Sequence, residues 1–374
     1  YNFKFKHRFN EKTNLSFSLF GLDAERNTVG FRTNRVDQVD PLTERDLIRG
    51  NFNNHGLELK ILRKYKINEK KGTFVLGGKY YKSKSLSKQG PGSEGADADF
   101  NIYLDEFPNY SNQSDYIYPN KNFAFFGENV FYINERLSFT PGFRVENIVT
   151  KSNGNYKRIN LDGAGNVIFN KTIEEKRNNK RSFILFGLGG SYKPNENIEI
   201  YSNISENYRS VTFADISIIN PAFSINPDIS DERGNTIDLG IRGNINKLIS
   251  YDLTLFNLNY KDRIGFAQKE FKDGSVKSER GNIGDAIIYG LESNIDFDIN
   301  NLIIKNDNIG LNVFLNTAII DSEYIRSEEN GVIGKKVEFV PNYNIKTGIK
   351  LGVGNFIFNT QYSHVSTQFT DSSN

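Results

Sequence analysis

Apolar and polar positions alternate with period two along most of the chain. In Asn2–Phe9 one face carries Phe3, Phe5 and Phe9, and the other Lys4, Lys6 and Arg8. Leu57, Leu59, Ile61, Tyr65 and Ile67 oppose Glu58, Lys60, Lys64 and Lys66; Leu137, Phe139, Phe143 and Val145 oppose Ser138, Thr140, Arg144 and Glu146. The pattern recurs at Thr236–Ile245, Ser293–Ile299 and Asn344–Val353. Period-two alternation puts one greasy face and one wet face on a strand. Apolar residues at helical spacing with caps are scarce, so the chain is expected to be all-β.

The connections alternate as well. Short ones fall near Asn10–Asn14, Asn68–Lys71, Asn134–Arg136, Pro194–Asn197, Asn246–Leu248, Asn300–Asn308 and Gly354–Asn355. Long ones, rich in Asn, Asp, Ser, Gly and Lys, fall near Asn27–Asn54, Leu86–Lys121, Lys151–Lys180, Arg209–Arg233, Gly265–Lys277 and Ser322–Asn342. Counting between them predicts about 14 strands of about 10–14 residues each, longer than the usual strand of a soluble sheet. A meander of that size with charge on its second face fits poorly into a sandwich. In lipid, where every backbone N–H and C=O must be paired, it closes into an up-and-down transmembrane barrel, apolar outside, with short turns at one end and long loops at the other. Tyrosines near strand ends, among them Tyr65, Tyr80, Tyr132, Tyr192 and Tyr260, supply the aromatic girdles. His7 and Arg63 break the apolar face and are expected at strand ends.

Composition narrows the picture further. The 374 residues carry 47 basic and 45 acidic side chains, a net charge of +2, so a polyanion partner such as nucleic acid is not suggested. The chain has no Cys, which excludes disulfides and thiolate metal sites. No apolar run reaches the about 20 residues of a membrane helix. Tyr1 already sits in an alternating pattern and the chain ends in a polar, loop-like stretch, which suggests an internal piece of a longer protein.

Several segments resemble the β-barrel of TonB-dependent outer-membrane receptors. Leu137-Ser138-Phe139-Thr140-Pro141-Gly142-Phe143-Arg144-Val145-Glu146 resembles that family's L-T-P-G-x-R-x-E strand, and Tyr201–Asp215 resembles its strand-into-loop region. Asp231–Gly243 resembles the P-E-x-x-x-x-x-E-L-G-x-K/R strand with Asp238 in place of the second Glu, and Asn282–Glu292 resembles N-x-G-x-x-x-x-x-G-x-E. The general character is most similar to the ferric-citrate-type receptors. The resemblance implies a partial barrel domain over residues 1–374, without its plug and closing strands. About 14 of roughly 22 strands would be present. It also implies a location in the bacterial outer membrane, contact with its lipid, and TonB as a partner through the missing N-terminal part.

A ferric hydroxy-acid chelate is anionic, and Arg suits bidentate carboxylate recognition. Loop arginines Arg209, Arg233, Arg32, Arg35 and Arg280 are therefore the ligand-binding candidates, with Arg209 and Arg233 flanking one loop at the lumen mouth. Glu146, Glu292 and Asp238 are expected on the lumenal face. Gly90–Asp99 carries acidic residues but lacks the spacing of an EF-hand loop. His7, His55 and His364 are scattered. No Cys nucleophile, G-x-S-x-G or H-E-x-x-H motif is present, so no enzyme, cofactor or metal centre is expected. Active uptake of a ferric chelate is the leading expectation. A passive channel or anchoring barrel, uptake of another ligand, and a soluble all-β module are the alternatives; an upstream plug, or detergent-independent solubility, would discriminate among them.

Overall fold

The computed structural model describes residues 1–31, 37–216, 223–271, 276–306 and 308–374. Its strands are β1 (Asn2–Asn10), β2 (Thr13–Gly30), β3 (Glu44–Ile67), β4 (Lys70–Glu94), β5 (Ser114–Tyr132), β6 (Leu137–Leu161), β7 (Val167–Asn195), β8 (Ile198–Arg209), β9 (Phe223–Ile225), β10 (Glu232–Ile245), β11 (Ile249–Glu270), β12 (Val276–Asp298), β13 (Ile309–Arg326), β14 (Tyr343–Val353) and β15 (Phe356–Val365). A single helical turn, α1 (Phe213–Ile216), precedes β9, and a π-helical turn occupies Asn300–Ile304. Among the described residues, no helix is long and apolar enough to cross a membrane.

Fourteen strands follow one another in sequence order in one antiparallel sheet, and β9 lies off this path, parallel to β12. The strand count agrees with the pattern in the sequence; the strand lengths do not. β7 runs 29 residues and β4 and β6 run 25 each. Much of what reads as long loop is therefore strand. The stretch Lys151–Lys180 is a hairpin whose turn is only Asp162–Asn166. Beyond the apolar band both faces of a strand meet water, so Asn, Lys and Ser can occupy every position and the alternation that marks a strand vanishes.

The short turns have local causes. Asn68 and Glu69 join β3 to β4 with φ of 46° and 70°, and Asn246 and Lys247 follow β10 with 51° and 62°. Positive φ at both central residues matches the right-handed twist of hairpin strands, and Asn tolerates that conformation.

Side-chain exposure is inverted relative to a soluble sheet. Leu57 and Leu59 on β3 are exposed, while Glu58 and Lys60 between them are half-buried. Phe186 is 61% exposed and Leu239 52%, whereas Glu146 is 7% exposed. The apolar side chains line up across strands, as in Phe17–Leu59–Gly78–Phe125–Val145–Ile184. A curled sheet with this polarity places its apolar residues on the convex wall and its charged ones on the concave wall. From Ile67 to Leu57 the apolar face spans about 33 Å along the strand, or about 25 Å of thickness at the usual barrel tilt. Arg63 pairs with Thr13 at the foot of β2, beside the β1–β2 turn. His7 sits among Phe5 and Phe9, with ring centroids 6.1 and 4.6 Å away, on the convex face of β1.

Candidate functional site

Among the described residues, two polar hollows and a third, largely apolar one line the concave wall. The one nearest the short turns, of about 360 Å³, has Glu199, Arg242, Asp252 and Asp296 in its wall. A middle one of about 410 Å³ adds Thr254, Glu292, Asn316 and Lys346. The third, about 410 Å³, combines Asp238 and Glu292 with Phe256, Ile288 and Phe339. Arg242 pairs with Glu199 at 3.1 Å rather than with Asp238, and Arg144 pairs with Glu146 two residues on. The Tyr201 ring crosses this wall: its hydroxyl donates to Asp252 at 2.6 Å, and a Cβ on Gly240 would lie 2.3 Å from its ring.

At the end of the long connections, the segment between β8 and β10 is clamped onto β11 and β12. Thr212 precedes α1, and Asp215 reaches back to accept hydrogen bonds from the Thr212 N–H and hydroxyl, both at 2.8 Å. Thr-x-x-Asp is a capping-box sequence pattern, of which this turn forms the half in which the acidic side chain takes the Thr212 N–H. The same carboxylate, only 1% exposed, receives Arg209 Nη2 at 2.8 Å and Arg280 Nε at 2.9 Å. Arg209 Nη1 also bonds Glu232 at 2.9 Å, and Glu232 accepts the Ile264 N–H at 2.6 Å. Asp231 beside it takes Arg181, the Tyr208 hydroxyl and the Val211 N–H. Val211, Ile216 and Ile264 form a small core beneath, and β9 pairs with Ser278–Arg280.

Burial pushes the Asp215 carboxyl upward, but the Thr212 hydrogen bonds and the two guanidinium groups outweigh it and hold the group below the usual carboxylate range. Asp231 behaves the same way: burial is overcome by Arg181 and Tyr208. Three guanidinium groups (Arg181, Arg209, Arg280) thus meet three carboxylates (Asp215, Asp231, Glu232).

A second clamp folds the β13–β14 connection inward. Tyr324 is fully buried and donates to Glu338 at 2.7 Å; Arg263 bonds both residues. Ala267, Ile283, Ala286, Val332 and Val337 pack around them.

The structure brings Arg209 and Arg280 onto one carboxylate. Arg233 sits elsewhere than expected. Glu232 points to the concave side, so its neighbour falls on the convex alternation with Ile237 and Leu239, where Arg233 lies 5.8 Å over the Tyr208 ring. Arg32 and Arg35 lie outside the described residues. Asp99 is committed to its own turn, accepting from Asn101 and Tyr103, and His364 stacks on Tyr343 and Tyr362. Sequence inspection missed Asp215, Asp231, Glu232 and Arg181; the Thr212-x-x-Asp215 cap was the one signal available for the first.

A scan of protein-family models matches residues 1–374 to the family described as TonB dependent receptor-like, beta-barrel. A search of curated proteins found no match. Among solved structures, the ferric citrate transporter FecA in its unliganded form aligns with TM-score 0.73 and 16% identity over 100% of this chain and 49% of that one. The ferric yersiniabactin uptake receptor FyuA from Yersinia pestis gives 0.67 and 15%, over 99% and 50%. The copper transporter OprC gives 0.69 and 15%, over 97% and 51%. The chain spans about half the length of these structures.

Proposed function

Because the chain belongs to the TonB-dependent receptor family, as part of its β-barrel, we propose that it forms one wall of a bacterial outer-membrane receptor. That receptor takes up an anionic ferric chelate, of the ferric citrate or siderophore class, with energy delivered through TonB by a segment outside this chain. The observation that carries the reading is the inverted wall: exposed Leu, Ile and Phe on the convex face and Glu, Asp, Arg and Lys on the concave one. Such a wall is stable against acyl chains outside and a polar passage inside. The family is one of receptors, in keeping with the lack of a catalytic motif in the sequence.

The recognition surface we assign is the arginine cluster at the mouth. Arg209 and Arg280 are half to three-quarters shielded and share a single carboxylate. A polycarboxylate chelate arriving from that side offers the same oxygen geometry as Asp215 and competes with it for both guanidinium groups. Binding then loosens the β8–β10 connection from β12. Arg233, over the Tyr208 ring beside the cluster, remains a candidate for the same ligand. Arg32 and Arg35 belong to the β2–β3 connection and remain candidates for the same ligand.

The test is an equilibrium titration of the full-length receptor with ferric citrate, together with uptake of radiolabelled iron in cells depending on it. Arg209→Ala with Arg280→Ala is expected to weaken binding at least tenfold, which is about 1.4 kcal/mol, and to lower uptake in parallel. Unchanged affinity and uptake would remove the cluster from recognition.

A further inference from the structure

Residues 263–267 of β11 touch both clamps, and the alternation of the strand divides them between the two. Ile264 gives its N–H to Glu232 at 2.6 Å and packs its side chain with Val211 and Ile216. The Phe266 ring lies 4.7 Å from the Arg280 guanidinium carbon. Those contacts belong to the clamp around Asp215. The odd-numbered residues meet the other clamp. Arg263 donates to the Tyr324 hydroxyl at 2.8 Å and to Glu338. A Cβ on Gly265 would lie 2.5 Å from Glu338 Oε1, and Ala267 packs in the core around Tyr324. The Ser372 hydroxyl, beyond β15, donates to the Phe266 carbonyl at 2.9 Å.

The stretch has few other supports. β10 pairs with β11 only as far as Lys261, so beyond that point the ladder of β11 runs to β12. That ladder is itself irregular here, with register shifts on either side of Arg263 and a φ of 54° at Asp262. A bulge interrupts pairing and re-aims the side chains that follow it. Glu232 joins the parts, because its Oε1 accepts both Arg209 Nη1 at 2.9 Å and the Ile264 N–H. A shift of Glu232 therefore reaches the peptide that links Ile264 to Arg263.

We propose that residues 263–267 couple the two clamps, so that the β8–β10 and β13–β14 connections open together. Opening the first clamp takes Glu232, Val211 and Ile216 away from Ile264, and frees Arg280 to leave Phe266. The stretch then keeps its bulged ladder to β12 as its main support, and Arg263 has to hold Glu338 from a loosened base. Opening the second clamp does the converse: it takes Glu338 and Tyr324 from Arg263, and Ile264 has to meet Glu232 from that same base. Each clamp thus stabilises the one backbone conformation that the other requires, which is a positive and reciprocal coupling. Clamps built on separate strands would open independently. The consequence for a ligand rests on the recognition reading above: a chelate that takes Arg209 and Arg280 from Asp215 loosens the β13–β14 connection as well, although it touches no residue of it. The coupling itself needs no ligand.

Amide hydrogen exchange of the full-length receptor in dodecyl maltoside, without ligand, tests it. Val211 and Thr212 report on the first clamp, since their N–H groups bond Asp231 and Asp215; Gly334 and Val337 report on the second, bonded to the Tyr324 carbonyl and the Ser322 hydroxyl. Glu338→Ala is expected to speed exchange at Gly334 and Val337 and, across the stretch, about fivefold at Val211 and Thr212. Glu232→Ala is expected to do the reverse. In the double variant the acceleration at each clamp should fall short of the product of the two single effects. The β6–β7 hairpin, held by its own ladder, should exchange as in the wild type. Effects confined to the mutated clamp, a double variant equal to that product, or an equal rise in the hairpin would each overturn the coupling. The wild type in sub-denaturing urea gives a check that needs no variant to fold: both clamps should lose protection with one slope, as a single cooperative unit does, and two different slopes would overturn it. Ferric citrate added to the wild type should speed exchange at both clamps. Binding that loosens only Val211 and Thr212 would count against the coupling, whereas failure of ferric citrate to bind would sink the recognition reading and leave the ligand-free result standing.

Discussion

The sheet holds its long connections in two different ways. Between β6 and β7 the chain simply continues as strand past the apolar band, so that hairpin is held by its own ladder and turns in five residues, Asp162–Asn166. Along β8–β13 the connections leave the sheet, fold back, and are fastened by ion pairs buried over small cores, around Asp215 on one side and Tyr324–Glu338 on the other. A ladder resists opening everywhere along its length, whereas a clamp fails when one group is lost. The clamped connections are thus the ones suited to responding to a ligand, and the laddered β6–β7 hairpin the one suited to staying fixed.

The sharpest way to break that contrast is Asp215→Ala. It leaves Arg209 and Arg280 facing each other with their shared carboxylate gone. Removing one partner of a buried pair costs about 3–5 kcal/mol; both arginines are partly exposed, so about 2–3 kcal/mol is expected here. The loss is local. Protease cleavage between Ser210 and Asp231 in the folded full-length receptor should accelerate, while cleavage at the Asp162–Asn166 turn stays as in the wild type. Equal protection of both sites would show that the clamp does not hold the connection.

How much of this was legible in advance follows the same divide. Inside the apolar band the strands announced themselves, because Leu57–Glu58–Leu59–Lys60 has to alternate between the apolar convex face and the polar concave one. Above the band Lys171–Lys180 carries no alternation, since water on both faces imposes none, and its strands read as loop. The clamp residues were harder still. Arg209 and Arg280 were visible as loop arginines, but their meeting on Asp215 depends on contacts 65 residues apart in sequence, which no local pattern encodes. Arg233 was misplaced by one step, and in a strand one step changes the face.

A smaller effect separates two glycines of the sheet. A Cβ on Gly290 of β12 would lie 2.2 Å from the Ile319 carbonyl oxygen, whereas one on Gly78 of β4 meets nothing closer than 3.8 Å. Gly290→Ala must push β13 away and is expected to cost about 2 kcal/mol as overpacking does. Gly78→Ala should be nearly neutral. Urea unfolding of the two variants in the same detergent measures the difference, and equal midpoints would mean that β12 and β13 have slack the geometry does not show.

The smallest expected effect is that of pH on the clamp. Asp215 and Asp231 both have folded-state pKa values below the ordinary carboxylate value, so each contributes stability that is complete above the unfolded pKa. That contribution is lost as pH falls through the lowered folded value. At neutral pH the β8–β10 connection should therefore be as protected as it ever is. Acidification below the ordinary carboxylate range, about pH 4, should loosen it progressively, raising cleavage between Ser210 and Asp231 a few-fold. The β6–β7 hairpin, closed by backbone ladder bonds, should not respond over the same range. Asp215→Asn sharpens the test: the amide cannot titrate, so this variant should start less protected at neutral pH and lose less on acidification. A wild type and a D215N receptor with the same pH profile would assign the acid response to other carboxylates and leave the clamp without a titrating element.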